Sequence, residues 1–138
     1  MSPICNGYVL RVLPSDSDSD GMLDAWEILY GLNVLIDDSA MDTDLDGLSN
    51  YGEYIAGTDP TNSTSVLALD NPVLLGASNL VLNWQSVSGK SYSILGSTNL
   101  LNPDWIPVQT NLPAIVPMNA TTINVENAEA AFYQIEVK

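Results

Sequence analysis

The sequence predicts a mainly β chain: a small antiparallel β-sandwich, preceded by an acidic two-loop module with short helices and by an N-terminal strand. Three observations carry this. After residue 65 the chain breaks into short alternating apolar runs punctuated by glycine and proline. Before that, two acid-rich segments repeat 26 residues apart. At the start, an apolar run has apolar residues on both of its faces. With 138 residues and a hydrophobic fraction of 46%, one or two small domains with a real core are expected.

Residues 1–14 contain ICNGYVLRVLP, which places Tyr8, Leu10 and Val12 on one side of a strand and Val9 and Leu13 on the other. Such a strand is expected to be buried on both faces, and Pro14 ends it. Cys5 is the single cysteine, so no internal disulfide forms, and without a histidine partner it reads as an incidental thiol.

Residues 15–64 hold the repeat. Segment 16–27 reads DSDSDGMLDAWE and segment 42–53 reads DTDLDGLSNYGE. Of the 17 acids in the chain, 12 lie between Asp16 and Asp59, so the net charge of −14 belongs to this module and not to the whole protein. Helices are expected over DAWEILYG and NYGEYIAG, each stopped by a glycine, Gly31 and Gly57. Trp26, Ile28, Leu29, Tyr51, Tyr54 and Ile55 argue against a disordered acidic tail. The stretch TNSTS reads as a polar linker.

Residues 65–138 read as the β domain. LVLNW sets Leu80, Leu82 and Trp84 on one face, SYSIL sets Tyr92 and Ile94, TINV sets Ile123 and Val125, and FYQIEV sets Tyr133, Ile135 and Val137. Gly89, Pro103, Pro107, Pro113 and Pro117 punctuate the runs. About six or seven short strands at this spacing suggest an immunoglobulin-like sandwich. Trp84, Trp105 and Tyr92 read first as core; a sugar-binding platform is the alternative.

The acid spacing has a chemical reading. A calcium loop of the EF-hand type takes oxygen ligands at its first, third and fifth positions, glycine at the sixth, a carbonyl at the seventh and a bidentate glutamate at the twelfth. The first segment supplies Asp16, Asp18, Asp20, Gly21, the carbonyl of Met22, Asp24 at the ninth position and Glu27. The second supplies Asp42, Asp44, Asp46, Gly47, the carbonyl of Leu48, Asn50 at the ninth and Glu53. Hard oxygen donors with no histidine or thiolate beside them favour calcium over zinc or copper. Two Ca2+ ions would change the formal charge from −14 to −10, and without them the crowded acids repel, so ion binding is expected to couple to folding.

A strand and Pro14 precede the first loop, and the second lacks a full entering helix, which leaves a loop plus an exit helix. DSDSDGMLDAWEILYGL and DTDLDGLSNYGEYIAGTDPTN, residues 15–62, resemble bacterial thrombospondin type 3-like calcium repeats. That resemblance implies an extracellular, calcium-stiffened spacer without catalysis, and makes Asp59 an additional ligand. Asp37 and Asp38 read as weaker candidates, closer to solvated charge. Dockerins also carry two such loops, but their loops tend to close on aspartate after small hydroxylic pairs, whereas here glutamates follow Ala25-Trp26 and Tyr51-Gly52. The C-terminal segment loosely resembles small β domains at the ends of secreted bacterial proteins.

These readings give a function class. The charge argues against nucleic acid and anionic lipid, and no run of about 18 apolar residues forms a membrane span. With no histidine to act as base, catalysis is not expected; Asp70, Asp104, Glu126, Glu129 and Glu136 are the acids left outside the loops. The start does not read as a secretory signal, and the expectation is a mature segment of a longer secreted precursor. Sequons at Asn62 and Asn119 suit a secreted glycoprotein. The apolar first strand, separated from the β domain by the acidic module, suggests insertion into a neighbouring copy and head-to-tail self-association into a surface fibre. The alternative is a monomeric adhesion, carbohydrate-binding or dockerin-like module.

Overall fold

The computed structural model describes residues 15–126 and 132–138. The N-terminal strand expected in residues 1–14 lies outside the described residues, as do Cys5 and Glu129.

The acidic module is two short turns of helix hung on two loops. α1 (Asp24–Tyr30) and α2 (Asn50–Ala56) have seven residues each, too few to hold together unaided. They end where the sequence places their stops: Gly31 and Gly57 take left-handed φ of 74° and 78°, open to glycine at no steric cost. Ser49 caps α2 by accepting the Gly52 amide, whereas α1 begins behind Leu23 without a side-chain cap. The repeat extends to the backbone. The Asp24 amide donates to Ser15 O at 2.9 Å, and the Asn50 amide donates to Met41 O at 2.7 Å, the same bond 26 residues on.

The apolar residues of this module do not make a conventional core. Ile28 and Leu29 are 69% and 71% exposed. What the module buries is Met22, Ala56 and Pro60 together with Glu27, Asp38, Asn50, Glu53 and Thr58. One aromatic contact ties the helices side by side instead: Trp26 of α1 meets Tyr54 of α2 edge-on at 5.2 Å, and Tyr30 of its own helix at 5.0 Å steadies the Trp26 ring.

Among the described residues the β domain has six antiparallel strands: β1 (Val73–Leu75), β2 (Asn79–Gln85), β3 (Ser91–Ser97), β4 (Ile106–Pro113), β5 (Met118–Asn124) and β6 (Phe132–Val137). They form two three-stranded sheets, ordered β1-β2-β5 and β4-β3-β6. One core joins the sheets. Leu82 and Trp84 of β2 and Ile123 of β5 pack with Tyr92 and Ile94 of β3, and Tyr133, Ile135 and Val137 of β6 close over them. The alternation read from the sequence therefore points the right side chains inward. Trp84 and Tyr92 are wholly inside, in edge contact at 5.7 Å, so they serve as core and offer no sugar platform.

Pro107 and Pro113, read as breaks, lie within β4. Among the described residues β4 is an edge strand, and proline is tolerated on an edge, where no outer described neighbour needs its missing N–H.

The two parts meet through the segment after Gly57. Leu67 and Leu69 pack on the β core, and Leu69 bridges to Trp84. The expected TNSTS linker is a chain of hydrogen-bonded turns: Ser65 Oγ accepts the Asp59 amide at 3.0 Å, and Gln85 Nε2 donates to Thr64 O at 2.7 Å.

Candidate metal centre

The two loops fold alike, atom for atom, around their own acids. In the first, the Asp20 amide donates to Asp16 Oδ1 at 3.2 Å and Asp18 Oδ1 at 3.3 Å, Gly21 donates to Asp16 Oδ2 at 3.1 Å, and Met22 donates to Asp20 Oδ1 at 2.8 Å. In the second, Asp46 donates to Asp42 and Asp44, both at 3.2 Å, Gly47 donates to Asp42 at 2.9 Å, and Leu48 donates to Asp46 at 2.8 Å. Tight turning requires left-handed backbone at Ser19 and Leu45, with φ of 66° and 65°, and at Gly21 and Gly47, with φ of 96° and 99°. Gly21 is constrained a second way, because a Cβ there would stand 3.0 Å from the Tyr51 ring.

Each loop thus spends one oxygen of its third and fifth aspartates on its own amides. The other oxygens, Oδ2 of Asp18, Asp20, Asp44 and Asp46, are buried with no hydrogen-bond partner among the described residues. Glu27 and Glu53 are fully buried, and the same holds for both of their oxygens. The Thr58 hydroxyl stands close enough to Glu53 to favour its charge slightly without reaching hydrogen-bond geometry. Eight carboxylate oxygens aimed inward and left unpaired are costly unless a cation or protons meet them.

Electrostatics register that cost. Burial, followed by the charges of Asp18, Asp20, Asp38 and Asp24, pushes the Glu27 carboxyl up to about 7. Burial, followed by Asp44 and Asp46, pushes Glu53 up to about 7 as well. Asp18 is also raised, by desolvation and then by Asp20. These are the groups on which a bound cation would act most strongly.

Carboxylate oxygens of Asp16, Asp18 and Asp20 lie within 4.8 Å of one another, and so do those of Asp42, Asp44 and Asp46. A third group joins Asp20 and Glu27 to Asp38 by the same measure. These clusters could hold a metal ion, and their all-oxygen donor set fits a hard cation.

The other expected ligands are placed less simply. Asp24 is held by the hydroxyls of Ser15 and Ser17 and by the Ser17 amide at 2.7 Å, and the serine hydroxyls keep its carboxyl below the usual range. Asn50 accepts from Thr43 Oγ1 at 2.8 Å through Oδ1, the counterpart of the Ser17 bond to Asp24. The ninth position in both loops is thus fastened to the second. Asp59 takes the Thr61 amide and hydroxyl at 3.0 and 2.7 Å on one oxygen and adds its charge to the field at Glu53. Asp37 is exposed and holds Ser39 in a local turn. Asp38, one of the two weaker candidates, is 9% exposed and lies with Asp20 and Glu27. The sequence ranked it below the loop acids because it lies 11 residues beyond Glu27, outside the loop spacing.

The sequons differ. Asn62 is exposed, whereas Asn119 is 3% exposed, with Nδ2 donating to Pro113 O at 2.9 Å and Oδ1 accepting the Ile115 amide. The Asn119 nitrogen that would carry a glycan is engaged inside the fold, whereas Asn62 stands open to one.

No family model, curated protein or solved structure matches this chain. Among the described residues no helix is long and apolar enough to cross a membrane.

Proposed function

We propose that residues 15–62 bind two calcium ions, one in each loop, and that the filled module is a non-catalytic spacer of thrombospondin type 3-like kind, seated against an immunoglobulin-like β domain in an extracellular structural protein. The observation that carries this reading is the pair Glu27 and Glu53: fully buried glutamates, at the twelfth position of each loop, with unpartnered oxygens. The ligand set is Asp16, Asp18, Asp20, the Met22 carbonyl and Glu27 in the first loop, and Asp42, Asp44, Asp46, the Leu48 carbonyl and Glu53 in the second. Asp24 and Asn50 would act at the ninth position through water, a common arrangement in such loops. Asp59 would steady the second site through its charge.

Charge neutralisation then explains how a module with so little apolar interior stays folded. Calcium calorimetry tests this directly. Two ions per chain are expected, and an absence of heat with unchanged helicity on adding calcium would count against it.

A second reading concerns assembly. β1 is an edge strand whose Val73, Leu74 and Leu75 are 50%, 57% and 54% exposed, a surface suited to strand addition. Its occupant would be the apolar segment 8–13 of a second copy, joined head to tail into a fibre. Removing residues 1–13 should abolish fibres seen by negative-stain imaging in calcium. Fibres that persist would refute insertion of the first strand, and a calcium-loaded unaltered chain that forms no fibres would leave the monomeric module as the reading.

A further inference from the structure

We infer that the first ion is bound by both repeats together: Asp38 is one of its ligands, and Asn50, from the second repeat, positions it. The inference rests on the calcium reading above and deepens it. The Asp38 carboxylate lies with those of Asp20 and Glu27, one oxygen of each within 4.8 Å of the others, and the fully buried Glu27 has no hydrogen-bond partner among the described residues for either oxygen. Asp38 is therefore not a stray surface charge. It stands where a cation shared with Glu27 would sit.

Its placement is not local. Asn50 Nδ2 donates to Asp38 O at 3.0 Å and reaches Asp38 Oδ1 at 3.4 Å. Asn33 N donates to Asp38 Oδ2 at 3.2 Å. Asn50 is fully buried, and its amide is oriented by Thr43, the second residue of the second loop. Two main-chain bonds lock the same junction: Asn50 N to Met41 O at 2.7 Å, and Tyr51 N to Ser39 O at 3.0 Å. Ordering the second loop thus sets the residue that fastens a ligand of the first. Coupling of this kind is reciprocal, so filling either site raises affinity at the other.

The test is calcium calorimetry on the full chain in two single-site backgrounds. Glu53→Gln leaves the first site to be read, and Glu27→Gln leaves the second. In the Glu53→Gln background, adding Asp38→Asn should lower the remaining affinity about tenfold or more, because one charged ligand is gone. In the Glu27→Gln background the same change should alter affinity less than about twofold, because Asp38 lies outside the second cluster. Asn50→Ala should weaken the first site although it belongs to the second repeat, and Thr43→Val, which removes the hydroxyl that orients Asn50, should do so in the same direction. Two ions bound by the unaltered chain, with Asp38→Asn harmless in the Glu53→Gln background, would overturn this inference alone. A chain that binds no calcium would overturn the calcium reading and this inference together.

Discussion

Lys90 Nζ donates to the carbonyl of Ile55 at 2.6 Å. One of only three basic residues in the chain thereby sits at the C-terminal end of α2, where orphan carbonyls and the helix dipole both favour a cation. The stem of the same lysine lies beside Gly57, where a Cβ would be 3.3 Å from Lys90 Cε and 3.1 Å from Val87 Cγ1. This bond fastens the acidic module to the turn between β2 and β3.

Replacing Lys90 with methionine keeps the stem and removes the donor. A loss of about 1 kcal/mol is expected, the ordinary worth of such a bond at a partly exposed site. Limited proteolysis should then cut more readily between residues 57 and 65 while calcium stoichiometry stays the same. Unchanged cleavage would show that the joint is held by packing alone.

Glu27→Gln and Glu53→Gln should each remove one site from the calorimetric count, or weaken it about tenfold or more, because each takes a charged bidentate ligand. Chelation by EGTA should lower the melting temperature of the unaltered chain. At a free calcium concentration of about one hundred times Kd, each site adds about 2.7 kcal/mol. A melting temperature indifferent to EGTA would contradict the coupling of ion binding to folding.

Acid should have opposite effects with and without the ion. In the chelated protein, Glu27 and Glu53 sit near 7, above the ordinary 4.5, so the folded state keeps protons that the unfolded state has released between those values. Their contribution is fully present below about 4.5 and is lost as pH rises through about 7. The chelated melting temperature should therefore fall from about pH 5 to about pH 8. Calcium takes the place of those protons, so its affinity should climb over the same interval and then level. Parallel pH profiles with and without calcium would refute this account.

Trp84→Ala should destabilise the β domain by about 3–5 kcal/mol, the usual result of emptying a buried aromatic site. The calcium stoichiometry should remain two, because the loop acids are held by their own backbone amides and not by this core. Loss of both ions in a chain that stays soluble would mean that the β domain holds the loops in shape.

The sequence by itself determined the periodic parts. Strand faces follow from alternation at Leu82 and Trp84, or Tyr92 and Ile94, because a pleated backbone sends successive side chains to opposite sides. The twin loops follow from fixed offsets, because a short turn needs glycine and left-handed backbone at set places. Only the tertiary structure decided what lies beyond those offsets. Ile28 and Leu29 argue for order in the sequence, but only the structure shows that they face outward while carboxylates fill the interior of the module. Pro107 and Pro113 look like breaks, yet they lie in a strand whose outer edge has no partner among the described residues to miss an N–H. Asp37 and Asp38 look like equally weak candidates, yet Asp38 turns inward because Asn50, 12 residues later, supplies a donor that holds it, while Asp37 stays exposed. Contacts between segments leave no period in a sequence, since they depend on where separately folded turns come to rest against each other.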